Sequence, residues 1–256
     1  MSRTAYVCHE RKLVVFYSPK AACTTVAAWF VRNVLRIREV GMAPRIWSNN
    51  KGYRCPWKQA YTFAQKNYKS ILFTRRPTSR IVSAFISKFY VYKRRPLLHY
   101  VQLEKFSQKL LNVVYPGKSG GVSLSFVQFL DAIQAELDRG KRLNTHWNSQ
   151  FPRKNERKGK SIPDFNYVVR QENFDQDLAL VNQALNINDY LPKQINPTKF
   201  PPHYSGADAF LGDIGTLQLH AQNILLKADN LINDEIQRKI NRIYQEDYNI
   251  LDRYYQ

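Results

Sequence analysis

The segment LVVFYSPKAACTT, residues 13–25, carries the clearest structural signal in the chain. Its first five residues, Leu13 to Tyr17, form a continuous apolar run rich in β-branched and aromatic side chains, which is typical of a buried parallel strand. The segment Ser18–Cys23 breaks this run, and apolar residues then recur at helical spacing from Thr24 to Val34. The stretch therefore predicts a strand, a tight turn and a helix.

The chemistry of this turn is suited to a phosphate-like anion. A helix N-terminus presents N–H groups and the positive end of the helix dipole, Lys20 adds a full positive charge, and the hydroxyls of Thr24 and Thr25 add hydrogen-bond donors. The usual P-loop pattern, GxxxxGK followed by Ser or Thr, is absent: Gly117-Lys118-Ser119 matches its tail, but Asn112 stands where its first Gly should be. An ordinary strand–helix turn with a capping Thr is the alternative.

A second strand-to-helix passage lies further along the chain. Ser70–Thr74 predicts a strand, and Thr78–Tyr92 predicts a helix preceded by Pro77, a position where proline is tolerated. Arg75 stands at the end of the strand, and Ser83 follows eight residues later inside the helix. The alternative is a helix started by proline whose basic face is solvated.

The remaining pattern predicts an α/β fold. Strands separated by helices indicate a P-loop-like parallel sheet flanked by helices, with a helix-rich C-terminal part. The 256 residues fit a single domain, 1–256. We expect Arg36–Trp57 to form a loop or lid. The other predicted elements are a strand at Phe165–Val169 and helices at Ser123–Arg139 (with a capping box of Ser125 and Gln128), Asp175–Leu185, Thr216–Asn230 and Asp234–Tyr255.

The composition indicates an anionic partner. The chain has 39 Lys and Arg against 20 Asp and Glu, a net charge of +19. No stretch approaches the 18 or so apolar residues of a membrane span, and the polar segment Met1–Lys12 has no secretory signal pattern. Cys8, Cys23 and Cys55 form no CxxC pair, which argues against a disulfide framework or a zinc site. We therefore expect a cytoplasmic enzyme.

Taken together, the two strand-to-helix segments resemble the cofactor signatures of sulfotransferases that use 3′-phosphoadenosine-5′-phosphosulfate (PAPS). Pro19–Thr25 is similar to the 5′-phosphosulfate loop of the carbohydrate (Golgi-type, sulfotransferase family 2-like) branch, and Arg75–Ala84 is similar to its 3′-phosphate signature. Asn144–Gln150 resembles a family segment built around His-Trp, and Phe165–Phe174 resembles the strand that follows it. Asn196-Pro197-Thr198 is compared with a later polar loop near the nucleotide.

This resemblance implies a reaction and a set of roles. The expected reaction transfers a sulfuryl group from PAPS to a hydroxyl of a carbohydrate or glycoconjugate, leaving 3′-phosphoadenosine-5′-phosphate (PAP), without a metal. Lys20 is the expected catalytic cation, and Arg75 with Ser83 is expected to bind the 3′-phosphate. The cofactor-binding residues are predicted to be Lys20, Ala21, Ala22, Cys23, Thr24, Thr25, Arg75 and Ser83.

The general base is less well defined by the sequence. His146 is our candidate, because an ordinary histidine pKa of about 6.5 suits proton abstraction; the alternative is that it packs with Trp147 and shapes the acceptor pocket. Glu39 and Glu172 are rivals, and Glu172 is also suited to a structural pair with an arginine. The family has Asp or Asn at the position of Arg76. Because Arg76 lacks the side-chain oxygen of those residues, the capping of this turn is not predicted by the resemblance.

Two other functions compete with this interpretation. A nucleotide kinase would share the strand–loop–helix device, but its GK motif and metal-holding Asp residues are not found. A nucleic-acid-binding module is suggested by the net charge and by Lys93, Arg94 and Arg95 among aromatic residues, although we predict no nucleic-acid partner. Basic residues outside the cofactor motifs suggest instead an anionic acceptor, with aromatic residues of the 47–57 loop on its sugar faces. They include Arg153, Lys154, Arg157, Lys158 and Lys160. The oligomeric state stays open.

Overall fold

The computed structural model describes residues 3–38, 48, 52–153, 162–187 and 199–255. The chain divides into two compact units. The first comprises Met1–Arg76, Ser149–Asn196 and Leu251–Gln256, and the second comprises Pro77–Asn148 and Pro197–Ile250.

Strands and helices alternate along much of the described chain. The strands are β1 (Thr4–Cys8), β2 (Leu13–Tyr17), β3 (Arg54–Pro56), β4 (Lys69–Thr74), β5 (Val91–Tyr92), β6 (Arg95–Pro96) and β7 (Tyr167–Arg170). The α-helices are α1 (Cys23–Trp29), α2 (Trp57–Ala64), α3 (Pro77–Phe85), α4 (Lys105–Val114), α5 (Phe126–Asp138), α6 (Phe174–Ala184), α7 (Thr216–Ala221), α8 (Asp234–Ile243) and α9 (Gln245–Leu251).

The first unit is built on a mixed five-stranded sheet with the order β3-β1-β2-β4-β7. β2, β4 and β7 are parallel, with Val15 opposite Ile71 and Leu72 opposite Val168. β1 runs antiparallel to β2 and to β3. The α/β class and the parallel arrangement of the three predicted strands are confirmed, whereas the sequence did not predict the two antiparallel strands.

Both faces of β2 are covered, which explains its continuous apolar run. Val15 and Tyr17 belong to a core cluster with Val26 and Phe30 of the helical segment after the turn. On the other face the Phe16 ring packs against Trp57 and Tyr61 of α2, with ring centroids 5.3 and 5.1 Å apart. All five residues of β2 are buried, as expected for a strand with no solvent face.

The second unit is mainly helical and has its own apolar core. Aromatic side chains dominate it, among them Phe85, Phe89, Phe126, Phe129 and Trp147. The capping box predicted for α5 is present: the Ser125 hydroxyl accepts from the Gln128 N–H, and the Gln128 side chain accepts from the Ser125 N–H. The two bonds satisfy N–H groups that a helix start leaves without an intrahelical partner.

Several predicted helices end earlier than expected. The helix expected to reach Tyr92 is α3, extended by a π-helical segment Ile86–Tyr90, after which the chain enters the hairpin β5–β6. The helix expected over Thr216–Asn230 stops at Ala221, because Asn223 takes a left-handed conformation (φ 52°) that ends it. The helix expected over Asp234–Tyr255 is interrupted at Tyr244, so α8 and α9 are separate.

The expected loop at Arg36–Trp57 is only partly described. Residues 39–47 and 49–51 lie outside the described residues, but Arg54–Pro56 is β3 and Trp57 begins α2. The prediction of an irregular segment is therefore wrong at its C-terminal end. The Trp57 indole is buried and donates a hydrogen bond to the Thr4 carbonyl at 2.9 Å, which ties α2 to β1.

Candidate active site

The turn after β2 winds tightly into α1. The Ala21 N–H donates to the Ser18 carbonyl at 3.2 Å, and the Val26 N–H donates to the Ala22 carbonyl at 2.9 Å, which opens the helix. Lys20 and Ala22 both have left-handed backbones, with φ of 70° and 52°. Residues other than glycine are strained in this region, and such strain clusters at functional sites.

The start of α1 is suited to an anion. No side chain caps the helix at Ala22, and its first turn carries no acidic residue. The predicted cofactor residues of this loop lie together: Ala21 and Thr25 are buried, while Lys20, Ala22, Cys23 and Thr24 are partly exposed. Backbone N–H groups at the helix start and the Lys20 ammonium would stabilise a negatively charged group here.

Gln150 links the ends of β2 and β4. Its Oε1 accepts hydrogen bonds from the Ser18 and Thr74 hydroxyls, both at 3.1 Å, and from the Arg75 N–H at 3.3 Å. Its Nε2 donates to the Arg75 carbonyl at 2.8 Å. Because Gln150 is only 2 % exposed, this network has little access to water. One amide side chain therefore holds the beginnings of both predicted cofactor segments.

Arg75 also reaches the phosphate-binding turn directly. Its Nη1 donates to the Lys20 carbonyl at 3.3 Å. Burial lowers the pKa of Arg75, and the charge of Glu172 and the proximity of Tyr255 oppose that effect. The guanidinium remains protonated at neutral pH because its ordinary pKa is so high. The structure thus brings Arg75 and the Lys20 turn together within the first unit.

Glu172 caps the turn that contains Arg76. Glu172 Oε1 accepts from the Arg76 N–H at 2.9 Å, and Oε2 accepts from the Tyr255 hydroxyl at 2.9 Å. The Arg76 guanidinium lies 4.8 Å from the centroid of the Tyr255 ring. Burial and the neighbouring Glu172 charge raise the pKa of Tyr255, so its hydroxyl keeps its proton. A carboxylate from after β7 therefore satisfies the N–H of Arg76 at this turn.

Arg170 and Asp177 fix the end of β7. The Arg170 Nε and Nη2 atoms donate to the two carboxylate oxygens of Asp177 at 2.8 and 2.9 Å. Burial would raise the pKa of Asp177, but the hydrogen bonds and charge of Arg170 lower it below its usual range. This bidentate pair orders the segment that leads into Glu172.

The second unit carries the other two predicted site residues. Ser83 lies on α3 and is partly exposed. Arg80 of the same helix is 1 % exposed, and its Nη2 donates to the Thr145 carbonyl at 3.0 Å. The alternative of a solvated basic face is therefore wrong for Arg80, which instead anchors the segment before His146.

His146 is held by an asparagine and an aromatic ring. Its backbone N–H and its Nδ1 both lie near Asn144 Oδ1, at 3.0 and 2.7 Å, and its ring stacks on Phe106 with centroids 5.1 Å apart. Because a carbonyl oxygen only accepts, Nδ1 carries the proton and Nε2 has the basic lone pair. Trp147 is buried, and its carbonyl accepts from the Tyr244 hydroxyl at 2.5 Å.

Some predicted residues lie outside the described part of the chain. They are Glu39, Lys154, Arg157, Lys158, Lys160 and the segment 196–198. Among the described residues, no group of three or more His, Cys, Asp or Glu side chains is placed to hold a metal ion. The expectation that catalysis needs no metal stays a prediction. No helix in the described ranges is long and apolar enough to cross a membrane.

Gln150 is a site residue that could not be recognised from the sequence. Its only sequence signal was its place at the end of the His-Trp segment, where nothing distinguishes it from the neighbouring polar residues. Its four bonds span 76 residues to Thr74 and 132 residues to Ser18, so they arise only from the tertiary fold. Ser18 and Thr74 were missed for the same reason.

The chain also matches a known protein family. Residues 3–256 match the family described as the Sulfotransferase family. The matched range includes both strand-to-helix turns, Gln150 and His146. Searches of curated proteins and of solved structures return no match to this chain.

Proposed function

The chain belongs to the sulfotransferase family, and from this premise we propose that it transfers a sulfuryl group from PAPS to a hydroxyl of a carbohydrate or glycoconjugate. The expected nucleotide product is PAP. We further propose that residues 1–256 form one sulfotransferase domain and that the enzyme works in the cytoplasm.

The observation that carries the proposal is the link between Arg75 and the Lys20 turn. Two cationic residues from separate motifs meet in the first unit, at the C-terminal ends of adjacent parallel strands. Ligands of open α/β sheets bind at this edge of the sheet. A donor with both a 5′-phosphosulfate and a 3′-phosphate carries two anionic groups, which two such cationic positions would suit.

The chemistry proposed for Lys20 follows from charge development. The acceptor oxygen forms a bond to sulfur while the bond from sulfur to the 5′-phosphate oxygen breaks, and the electron pair of that bond stays on the phosphate. A cation at that oxygen stabilises the transition state more than the ground state. Lys20 is proposed for this task, with the loop N–H groups and the hydroxyls of Thr24 and Thr25 holding the anionic group.

The acceptor hydroxyl must lose a proton, and His146 is proposed as its base. The Nδ1–H bond to Asn144 selects the tautomer whose Nε2 accepts a proton. Glu172 is less suited, because both of its carboxylate oxygens already accept hydrogen bonds, from Arg76 and Tyr255. Its bond to the Arg76 N–H gives it a structural role, and the pair with an arginine expected from the sequence stays a prediction. Arg75 and Ser83 are proposed to bind the 3′-phosphate.

The proposal is tested by nucleotide binding. The purified protein should be retained on immobilised 3′,5′-ADP and eluted by PAP but not by an equal concentration of ATP. Elution by ATP alone would support the kinase-like alternative, as would sulfation that is abolished by exhaustive chelation and restored by Mg²⁺. The acceptor is then sought with sulfur-35 PAPS against polysaccharides, glycolipids and small alcohols.

A further inference from the structure

The hairpin β5–β6 of the second unit ends in an exposed basic tip. Tyr92 pairs with Arg95, so the loop between the strands contains only Lys93 and Arg94. All four residues are exposed, and the Tyr92 side chain is 49 % exposed although it is aromatic. The helix expected from the sequence ends at Tyr92, so the hairpin was not predicted.

The root of the hairpin is fixed in the core of the second unit. Val91 is buried, and the Leu97 N–H donates to the Tyr90 carbonyl at 2.8 Å. The Tyr90 ring stacks on His220 with centroids 4.1 Å apart, and its hydroxyl donates to the Ile224 carbonyl at 2.6 Å. The core therefore sets where the tip projects.

The turn is made from residues that its geometry disfavours. Lys93 and Arg94 both have left-handed backbones, with φ of 50° and 66°. A two-residue hairpin loop with positive φ at both positions is a type I′ turn, for which Asn-Gly is strongly preferred. Lysine and arginine carry a Cβ that crowds the backbone in this conformation. Because backbone strain clusters at functional sites, we interpret the two cations of this strained turn as functional residues.

Positive charge is concentrated at this tip. The Arg94 N–H donates to the Lys199 carbonyl at 3.1 Å, so Lys199, which is also exposed, adjoins the turn. The Lys93 ammonium lies 5.4 Å from the centroid of the Tyr92 ring. Within the described ranges, no ion pair involves the four cations Lys93, Arg94, Arg95 and Lys199. Their mutual repulsion would be relieved by an anionic ligand.

We propose that this basic tip, Tyr92–Arg95 with Lys199, binds an acidic polysaccharide acceptor. Its carboxylate or sulfate groups would contact the cations, and the Tyr92 ring would lie against a sugar face. The inference rests on the proposed function and specifies its substrate class. A polysaccharide fits better than a nucleic acid because the proposed reaction needs an acceptor hydroxyl and because the tip offers a single aromatic ring rather than a row of rings for stacked bases.

The test replaces the tip with the sequence that the turn prefers. Lys93→Asn with Arg94→Gly should raise Tm by about 2–4 °C, because the strain is removed. The same variant should bind a chondroitin sulfate oligosaccharide about tenfold more weakly at low salt, from the loss of two exposed charge contacts. The difference should vanish at high salt, where exposed charges are screened. Because the variant is more stable, unfolding cannot explain its weaker binding.

Two further variants complete the experiment. Lys93→Gln with Arg94→Gln keeps the strained backbone but removes the charges, and should lose the same affinity. Arg238→Gln with Arg242→Gln removes two exposed charges from α8 of the same unit and should leave oligosaccharide binding within twofold. Calorimetry with neutral dextran should show no difference between variants.

Three outcomes would overturn the proposal. The first is that the tip variants bind the oligosaccharide as tightly as the unmodified protein, and the second is that the α8 variant loses as much oligosaccharide affinity as they do. The third is that the tip variants bind anionic vesicles or duplex DNA more weakly but bind the oligosaccharide normally. PAP affinity of the unmodified protein is measured in parallel. If the protein binds the oligosaccharide through its tip but does not bind PAP, the proposed reaction is wrong and the proposed role of the tip is supported.

Discussion

The turn after β2 and the tip of the β5–β6 hairpin both hold basic residues in the left-handed backbone region, but their surroundings differ. After the end of β2, Lys20 lies in a partly buried loop, and the Lys20 carbonyl accepts a hydrogen bond from Arg75. At the tip of the β5–β6 hairpin, Lys93 and Arg94 project into solvent, and only the hairpin root is buried.

The difference shows how strain is used in the two places. In the first turn, Gln150 and Arg75 bond to Ser18 and to the Lys20 carbonyl, so the strained backbone is supported by neighbouring segments. That arrangement suits a catalytic cation, which must be aimed at one atom. In the hairpin the backbone is strained but the side chains are exposed, which suits electrostatic attraction of a long anionic ligand.

The largest effect that would test this contrast is expected at Lys20. Lys20→Ala should lower turnover about 100- to 1,000-fold, because a cation that acts on the leaving oxygen acts mainly in the transition state. PAP affinity should fall much less. Lys66→Ala removes an exposed lysine of the same unit and should leave both quantities unchanged. Equal losses of turnover and PAP affinity at Lys20 would make it only a binding residue.

The next effect concerns the support beneath the first turn. Gln150→Leu leaves three buried donors without their shared acceptor and should lower the free energy of unfolding by about 3 kcal/mol. Gln150→Glu keeps the accepting oxygen and should lose less. Urea denaturation gives the stability, and calorimetry of PAP gives the function. If Gln150 positions the turn, PAP affinity falls about tenfold in folded Gln150→Leu; unchanged affinity would reduce its role to packing.

Arg75 tests whether the second motif binds the nucleotide. Arg75→Ala should weaken PAP binding about tenfold or more, since a charge-assisted contact contributes roughly 1.5–3 kcal/mol. Arg76→Ala is the matched control, because its contact with Glu172 uses the backbone N–H, which the substitution keeps. If PAP affinity stayed the same in both Arg75→Ala and Ser83→Ala, the assignment of the 3′-phosphate site would be wrong.

The smallest effect concerns the root of the hairpin, at His220. Burial lowers the pKa of His220 to about 4. The unfolded chain therefore binds a proton between pH 6.5 and 4 that the folded protein does not, so stability is complete above pH 6.5 and falls as the pH drops towards 4. This residue alone should cost about 2 kcal/mol between pH 7.5 and 5.

His220→Gln should remove that part of the pH dependence. The measurement is the free energy of unfolding in urea at pH 7.5 and 5, for the variant and for the unmodified protein. The exposed His203 provides the comparison, and His203→Gln should leave the slope as it was. A slope that is the same in all three proteins would mean that His220 titrates normally and that the Tyr90 root is open to water.

The sequence predicted the central elements well because their signals are local. The apolar run of β2, the passage from Thr74 through Pro77 and the Ser125–Gln128 capping box each depend on a few neighbouring residues, and each is confirmed. Predictions failed where distant contacts decide. Thr4–Cys8 becomes a strand because it pairs with β2 and β3, and the predicted helix through Tyr92 gives way to a hairpin.

Residue order and spacing are enough to predict the family, the α/β class and the two motifs with Lys20 and Arg75. The folded chain was needed to find that Gln150 joins the two motifs, that Glu172 accepts from the Arg76 N–H, and that Lys93 and Arg94 form a strained tip. The physical reason is that a hydrogen bond between residues 75 to 132 positions apart depends on where the folded backbone places them. No local pattern in the chain records that placement.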